Sequence, residues 1–424
     1  MTKHSFSTSP SYLQSLRGLH RLHELARQGQ NDSLEADAIR DGLEKPWHDL
    51  STIEQARLNG LSEDLYSISD ACQEPLPPNP QVQRKLFEAF EANQAGKWDL
   101  ALTILRRWNR HIDTALLSFL RGSIWEAAAD SETAGLFFEH AASLAPQFYQ
   151  GIYLFNLRKT DAHAAINLAK QIFDAEQDNP PSVVVTAANI LFDAARNQPV
   201  VESHAVFEQL IPAIERSLAR SMGEQSHFQT WSDDIRSVAS LLLAGCLERL
   251  GDSRTAIRHL NAALAIDPND AAILEIRGIL RYGVEPAAVD DFRRAAQLGS
   301  QHIWPSFYLA HNALVGNQFE DCRRMCEQSL KYPANDEVQA NIYEWMAISR
   351  FELGDLPERV RSDFEEAIRL TPDLDRIRQN FAAFENAVAH PHVPRISWLK
   401  PTISNVKSIG RPEVPPRRPI PLAA

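Results

Sequence analysis

The chain has 424 residues, 44% of them hydrophobic and 23% charged, a balance that excludes a wholly disordered polypeptide. Only 17 are glycine, too few for a hairpin-rich all-β protein or a glycine-lined cofactor fold. With 43 basic and 55 acidic residues the net charge is −12, which argues against nucleic acid or an anionic membrane as a partner for the whole surface.

In chain order, the opening Met1 to Pro10 has no apolar run of the kind a secretory signal carries. Residues 11–70 then suggest three or four short helices inside a short-helix N-terminal region, 1–73. Leu13, Leu16, Leu19, Leu22 and Leu25 make one apolar stripe. Ser51 with Glu54 is a capping box, and Ser62-Glu63-Asp64 reads as a further helix start. His20, His23 and Glu24 would share a face, but a zinc site needs three or four ligands and no nearby cluster completes the set, so an inter-helix or surface role is expected. A proline-rich linker, 74–81, follows as a semi-rigid spacer.

The array spans 82–389, and from about 82 to 373 the chain repeats with a period in the mid-thirties. One unit carries Gly122, Trp125, Ala134, Phe138, Ala141 and Pro146, spaced 3, 9, 4, 3 and 5 apart. A second carries Ala244, Leu247, Ala256, Leu260, Ala263 and Pro268 with the same spacing. Small residues at Gly122 or Ala244 and at Ala134 or Ala256 allow two helices to cross closely. Phe138 or Leu260 fills the space beside the crossing, and the proline stops the second helix. Looser copies run through Gly96, Gly278, Phe319 and Gly354, and the weakest stretch is 148–222. About eight units follow from this period, closed by an amphipathic capping helix over 373–389. The longest apolar stretch, Val238 to Leu247, is about half a membrane span, so no membrane insertion is expected.

These units resemble the tetratricopeptide repeat (TPR). The resemblance implies an all-α fold, a TPR-type helical-hairpin superhelix (α-solenoid) whose inner wall is formed mainly by the first helix of each unit. It also implies a non-catalytic scaffold or adaptor that binds a peptide or partner helix in its concave groove. A regulatory sensor for a short signalling peptide is the alternative, and an enzyme would need an unrecognised site in the N-terminal region. The basic and amide residues that grip a terminal carboxylate in chaperone-binding TPR domains are missing, since Phe119, Leu120, Ser123 and Glu126 stand at the corresponding positions of one unit.

Within the array Tyr282, Trp304, Phe307, Tyr308, His311, Asn312 and Trp345 fall on or near inner-wall positions and are candidates for a partner-binding groove over 270–350, with inter-repeat packing as the other reading for each. Cys322 and Cys326 share a helical face, but the repeat frame puts them at the small and aromatic packing positions, so they are expected in the core. With Cys72 and Cys246 they are too few for a disulfide framework, which suits a cytoplasmic protein. The acidic pairs Asp233-Asp234 and Asp290-Asp291 are expected near helix N-termini or on solvent faces. No nucleotide, hydrolase or zinc-protease motif occurs, so neither catalysis, cofactor nor metal is expected.

The tail, 390–424, has eight prolines and six basic residues against Glu413, and reads as disordered and basic. Pro412, Pro415 and Arg417 form a polyproline-helix ligand pattern. The tail's excess of positive charge against an acidic body also suggests intramolecular docking, and a basic or amphipathic protein partner for that body.

Overall fold

The structure, a computed structural model, describes residue 6 and residues 9–69, 76, 79–196, 198–223, 229–390 and 396–402. Among these residues the chain is all-α, with twenty α-helices and no strand. It forms two compact units, one ending at Val206 and the other beginning at Phe207.

The first unit opens with α1 (Pro10–Arg27), α2 (Leu34–His48) and α3 (Thr52–Ser69), followed by the pairs α4 (Pro80–Gln94) and α5 (Trp98–Trp108), α6 (Thr114–Ala127) and α7 (Ser131–Leu144), and α8 (Pro146–Thr160) and α9 (Ala162–Asp174). α10 (Pro181–Arg196) packs on α8 and α9, and the boundary between units falls inside α11 (Val200–Gly223). Local signals set the ends. Ser9 caps α1 and Pro10 opens it, while Ser51 and Glu54 cap α3 reciprocally, the Ser51 amide donating to Glu54 at 2.8 Å and the Glu54 amide to Ser51 Oγ at 3.3 Å. Asp130 and Asp161 cap α7 and α9. Pro146 opens α8 directly after α7, so it starts one helix while stopping another.

At the α6–α7 crossing, a Cβ added to Gly122 would lie 2.7 Å from the Phe138 ring and 3.2 Å from the Ala134 carbonyl. Ala134 and Ala141 are fully buried beside it. The N-terminal helices share this core. Phe6 packs on Trp125 at 4.7 Å between ring centroids, and Leu58, Leu61 and Leu65 of α3 are buried in the same cluster as Leu102, Trp125 and Phe137. The second helix start expected at Ser62-Glu63-Asp64 is a correction: these residues lie inside α3. Asp64 is fully buried because it pairs with Arg121 of α6 at 2.8 Å and Arg106 of α5 at 3.0 Å.

The second unit contains α12 (Gln229–Arg249) with α13 (Ser253–Ile266), α14 (Ala271–Arg281) with α15 (Ala288–Gln297), α16 (Trp304–Val315) with α17 (Phe319–Ser329), α18 (Asp336–Glu352) with α19 (Pro357–Leu370), and a last helix, α20 (Asp375–Ala389). Ala244, Ala256, Leu260 and Ala263 are buried at the α12–α13 crossing, and Pro268 lies in the turn before Asp270 caps α14. Gly278 repeats the role of Gly122, with an added Cβ falling 2.7 Å from the Phe292 ring.

One turn device recurs. A left-handed residue follows the first helix of six pairs: Gly96, Ala129, Gly251, Gly283, Asn317 and Gly354. After Ala129 and Gly251 the next residue, Asp130 or Asp252, caps the following helix. Sequence spacing does not flag Ala129 or Asn317, because neither is glycine.

Residues 396–402, within the stretch that composition assigns to a disordered tail, lie outside any helix or turn and are packed on the second unit. Among the described residues no helix is long and apolar enough to cross a membrane.

Candidate functional site

The seven aromatic and polar candidates gather in the second unit but divide by depth. Phe307, Tyr308 and Trp345 are fully buried. Phe307 packs on Trp345 at 4.8 Å, and Tyr308 stacks on Phe292 at 4.9 Å with nearly parallel rings. Half-buried Trp304 packs edge-on against Phe307. These four therefore support a wall. Tyr282, His311 and Asn312 line a cavity of about 550 Å³ with Val284, Glu285, Val315 and the tail residues Lys400 to Thr402.

His311 joins wall and tail. Its Nε2 lies 3.0 Å from the Pro401 carbonyl and its Nδ1 lies 2.8 Å from the Tyr282 hydroxyl. A carbonyl only accepts, so Nε2 carries the proton and Nδ1 accepts from Tyr282. Burial pushes the His311 pKa down, against the Pro401 hydrogen bond, which favours the protonated ring. The imidazole is thus held neutral in one tautomer, a fixed donor aimed at a peptide carbonyl.

A second anchor lies on α20. The Leu399 amide donates to Asn380 Oδ1 at 2.9 Å, and Asn380 Nδ2 donates to the Leu399 carbonyl at 2.9 Å. The same Nδ2 reaches buried Glu344 of α18 at 2.8 Å. Arg376, one helical turn before Asn380, pairs with Glu344 and donates to Asn341 at 2.6 Å. Burial raises Glu344 to about 7 against the pull of Arg376. This network fixes the Asn380 amide plane, so the side chain presents a donor and an acceptor side by side, as a neighbouring peptide unit would.

Side chains of the segment complete the contact. The Trp398 ring meets Phe351 edge-on at 5.6 Å and stacks on Phe364 at 6.2 Å, and its indole N–H donates to Glu352 at 2.7 Å. Lys400 donates to Asn317 at 2.6 Å, and Pro401 is buried. The charge balance that suggests docking is not what holds this stretch: aromatic stacking and main-chain hydrogen bonds carry it. Repeat spacing and charge do not single out Asn380, Asn317, Glu352 or Trp398. One signal is usable, since Trp398 is the lone Phe, Trp or Tyr in the proline-rich tail.

The other candidates separate clearly. Cys322 and Cys326 are fully buried, and burial pushes the Cys326 thiol well up. Asp291, at the start of α15, is buried and pairs with Arg277 and Arg281, while Asp290 is exposed and pairs with Arg293. In the first unit, His20 hydrogen-bonds Thr133 at 2.9 Å, and burial lowers His23 to about 4. No group of three or more metal-ligating side chains occurs among the described residues. Pro412, Pro415, Arg417 and Cys72 lie outside them.

No family model matches the sequence, and no curated protein matches it. Among solved structures the chain is similar to the C-terminal part of a TPR repeat-containing protein from Cytophaga hutchinsonii, at 13% identity and a TM-score of 0.33, over 69% of this chain and 98% of that one.

Proposed function

We propose that this protein is a non-catalytic protein-interaction scaffold or adaptor, acting in the cytoplasm, whose second unit holds an extended peptide from a partner protein. The observation that carries the reading is the way residues 396–402 are held. Asn380 takes both main-chain polar groups of Leu399 and His311 takes the Pro401 carbonyl. A surface that reads main chain is suited to extended peptides, with side-chain contacts adding selectivity. Tyr282, His311 and Asn312 are the groove residues that face the ligand, and Trp304, Phe307, Tyr308 and Trp345 hold them in place.

Affinity capture followed by mass spectrometry tests this, comparing the intact chain with His311→Ala and Asn380→Ala. Proteins captured by the intact chain should be lost from both variants while helical circular dichroism is unchanged. Equal capture by all three would refute the reading. The regulatory alternative, a sensor for a short peptide, draws support from the cavity of about 550 Å³ beside Pro401, which suits a few side chains better than a folded domain.

A further inference from the structure

We infer that residues 396–402 are a tethered stand-in for the partner, so that the second unit selects extended peptides of the form Trp-x-basic-Pro and its own tail competes with them. This rests on the proposed peptide-binding role of the same face and names the ligand.

The segment has the exposure pattern of a bound strand. Ile396, Trp398 and Lys400 are half-buried, while Ser397 and Leu399 are exposed between them. Alternate side chains therefore face the protein, and those of Trp398 and Lys400 meet different chemistry. Trp398 lies against Phe351 and Phe364 with its N–H on Glu352, which suits a ring that carries a donor. Lys400 reaches the Asn317 side chain, where its ammonium donates a hydrogen bond. Pro401 is buried and offers only its carbonyl, to His311, so the lack of an N–H costs nothing there. Leu399 contributes main chain alone, since its side chain is 45% exposed. Position 399 is thus free in sequence, whereas 398, 400 and 401 are read.

Phe364, Phe384 and Ile377 are fully buried and pack with Val360 and Ala367, whereas Trp398 is only half-buried at the edge of that cluster. Asn380 and His311 are anchored by Glu344 and Tyr282, so the two main-chain readers are positioned independently of the tail. Only five residues separate His390 from Ile396. So short a tether gives the segment an effective concentration on the order of millimolar, enough to mask the face against a weaker or dilute ligand.

Fluorescence anisotropy with a labelled Ile396–Thr402 peptide, ISWLKPT, tests the inference on the full chain. The peptide should bind Trp398→Ala chain at least about ten-fold tighter than intact chain, because the competitor is weakened. Adding Asn380→Ala, or replacing the peptide's tryptophan with alanine, should abolish that binding. No binding to a Trp398→Ala chain whose circular dichroism and melting match the intact protein would overturn the inference. Loss of folding in that variant would also overturn it, making the segment a structural strap. If the peptide fails to bind while Asn380→Ala still abolishes partner capture, the ligand pattern is wrong and the peptide-binding role stands.

Discussion

Asn380 holds Leu399 by two hydrogen bonds of 2.9 Å, one to each polar group of the same residue, while its amide also serves Glu344 at 2.8 Å. Asn380→Ala removes all three bonds and leaves part of a buried carboxyl unsatisfied, at a cost of about 1–3 kcal/mol. Asn380→Asp should be worse. It keeps an acceptor for the Leu399 amide but sets a second carboxylate against Glu344 in a buried site. Hydrogen exchange should show the Leu399 amide losing protection in both variants, and thermal melting should rank aspartate below alanine.

The same face responds to pH through two groups of opposite sign. His311 has its folded pKa lowered by burial, with Arg376 and Lys400 also disfavouring its charge. Its unfolded form takes up a proton first, so its contribution is present above about pH 6.5 and is lost as pH falls towards the folded pKa. Glu344 has its folded pKa raised from 4.5 to about 7, so its contribution is full below 4.5 and is lost as pH rises through 7. Glu344→Gln removes the second arm. Denaturant melts between pH 7.5 and 5.5 should then show a steeper acid loss, limited to about 1.4 kcal/mol per pH unit for one proton. An unchanged slope would show that these two groups do not govern the face.

The recurrent left-handed turn gives a paired test. Ala129 has φ of 65° where Gly251 has φ of 86° at the equivalent place. A side chain in that region costs roughly 1–2 kcal/mol, which glycine avoids. Ala129→Gly should therefore raise the melting temperature of the first unit, and Gly251→Ala should lower that of the second. Gly122→Ala acts by another route, since its new methyl group meets Phe138 and the Ala134 carbonyl. It should cost about 1–3 kcal/mol by overpacking.

Close crossings are legible in sequence because they leave a local requirement, a small residue at a fixed distance from its partner. Gly122, Ala134 and Phe138 display it, and so do Ala244, Ala256 and Leu260. Burial of an aromatic on a first helix is less legible. Tyr308 and Trp345 occupy faces that a groove or a neighbouring hairpin can claim equally well, and only the placement of adjacent helices decides between them. Partners distant in the chain leave least trace. Asn380 is an unremarked polar residue until Leu399 lies beside it, and Trp398 stands out only when the tail is searched for aromatics rather than charges. Asp64 resembles a helix start because its charge announces a polar surface, while the arginines that bury it lie 42 and 57 residues away.

That buried carboxylate gives a separate prediction for the first unit. Asp64 and Arg121 are almost entirely inaccessible, and Arg121 also donates to Ser67 at 2.7 Å. Burial raises the Asp64 pKa against the opposing pull of Arg121 and Arg106, and it lowers that of Arg121. Asp64→Asn strands Arg121 in the core, and removing one partner of a buried pair costs about 3–5 kcal/mol. Replacing both partners, as Asp64→Leu with Arg121→Met, takes away both desolvation penalties, and Arg106 can turn outward from its partly exposed position. The double variant should therefore be more stable than Asp64→Asn, with a negative coupling in a double-mutant cycle read by denaturant melts. A double variant no more stable than the single would show that the pair does more than neutralise its own burial.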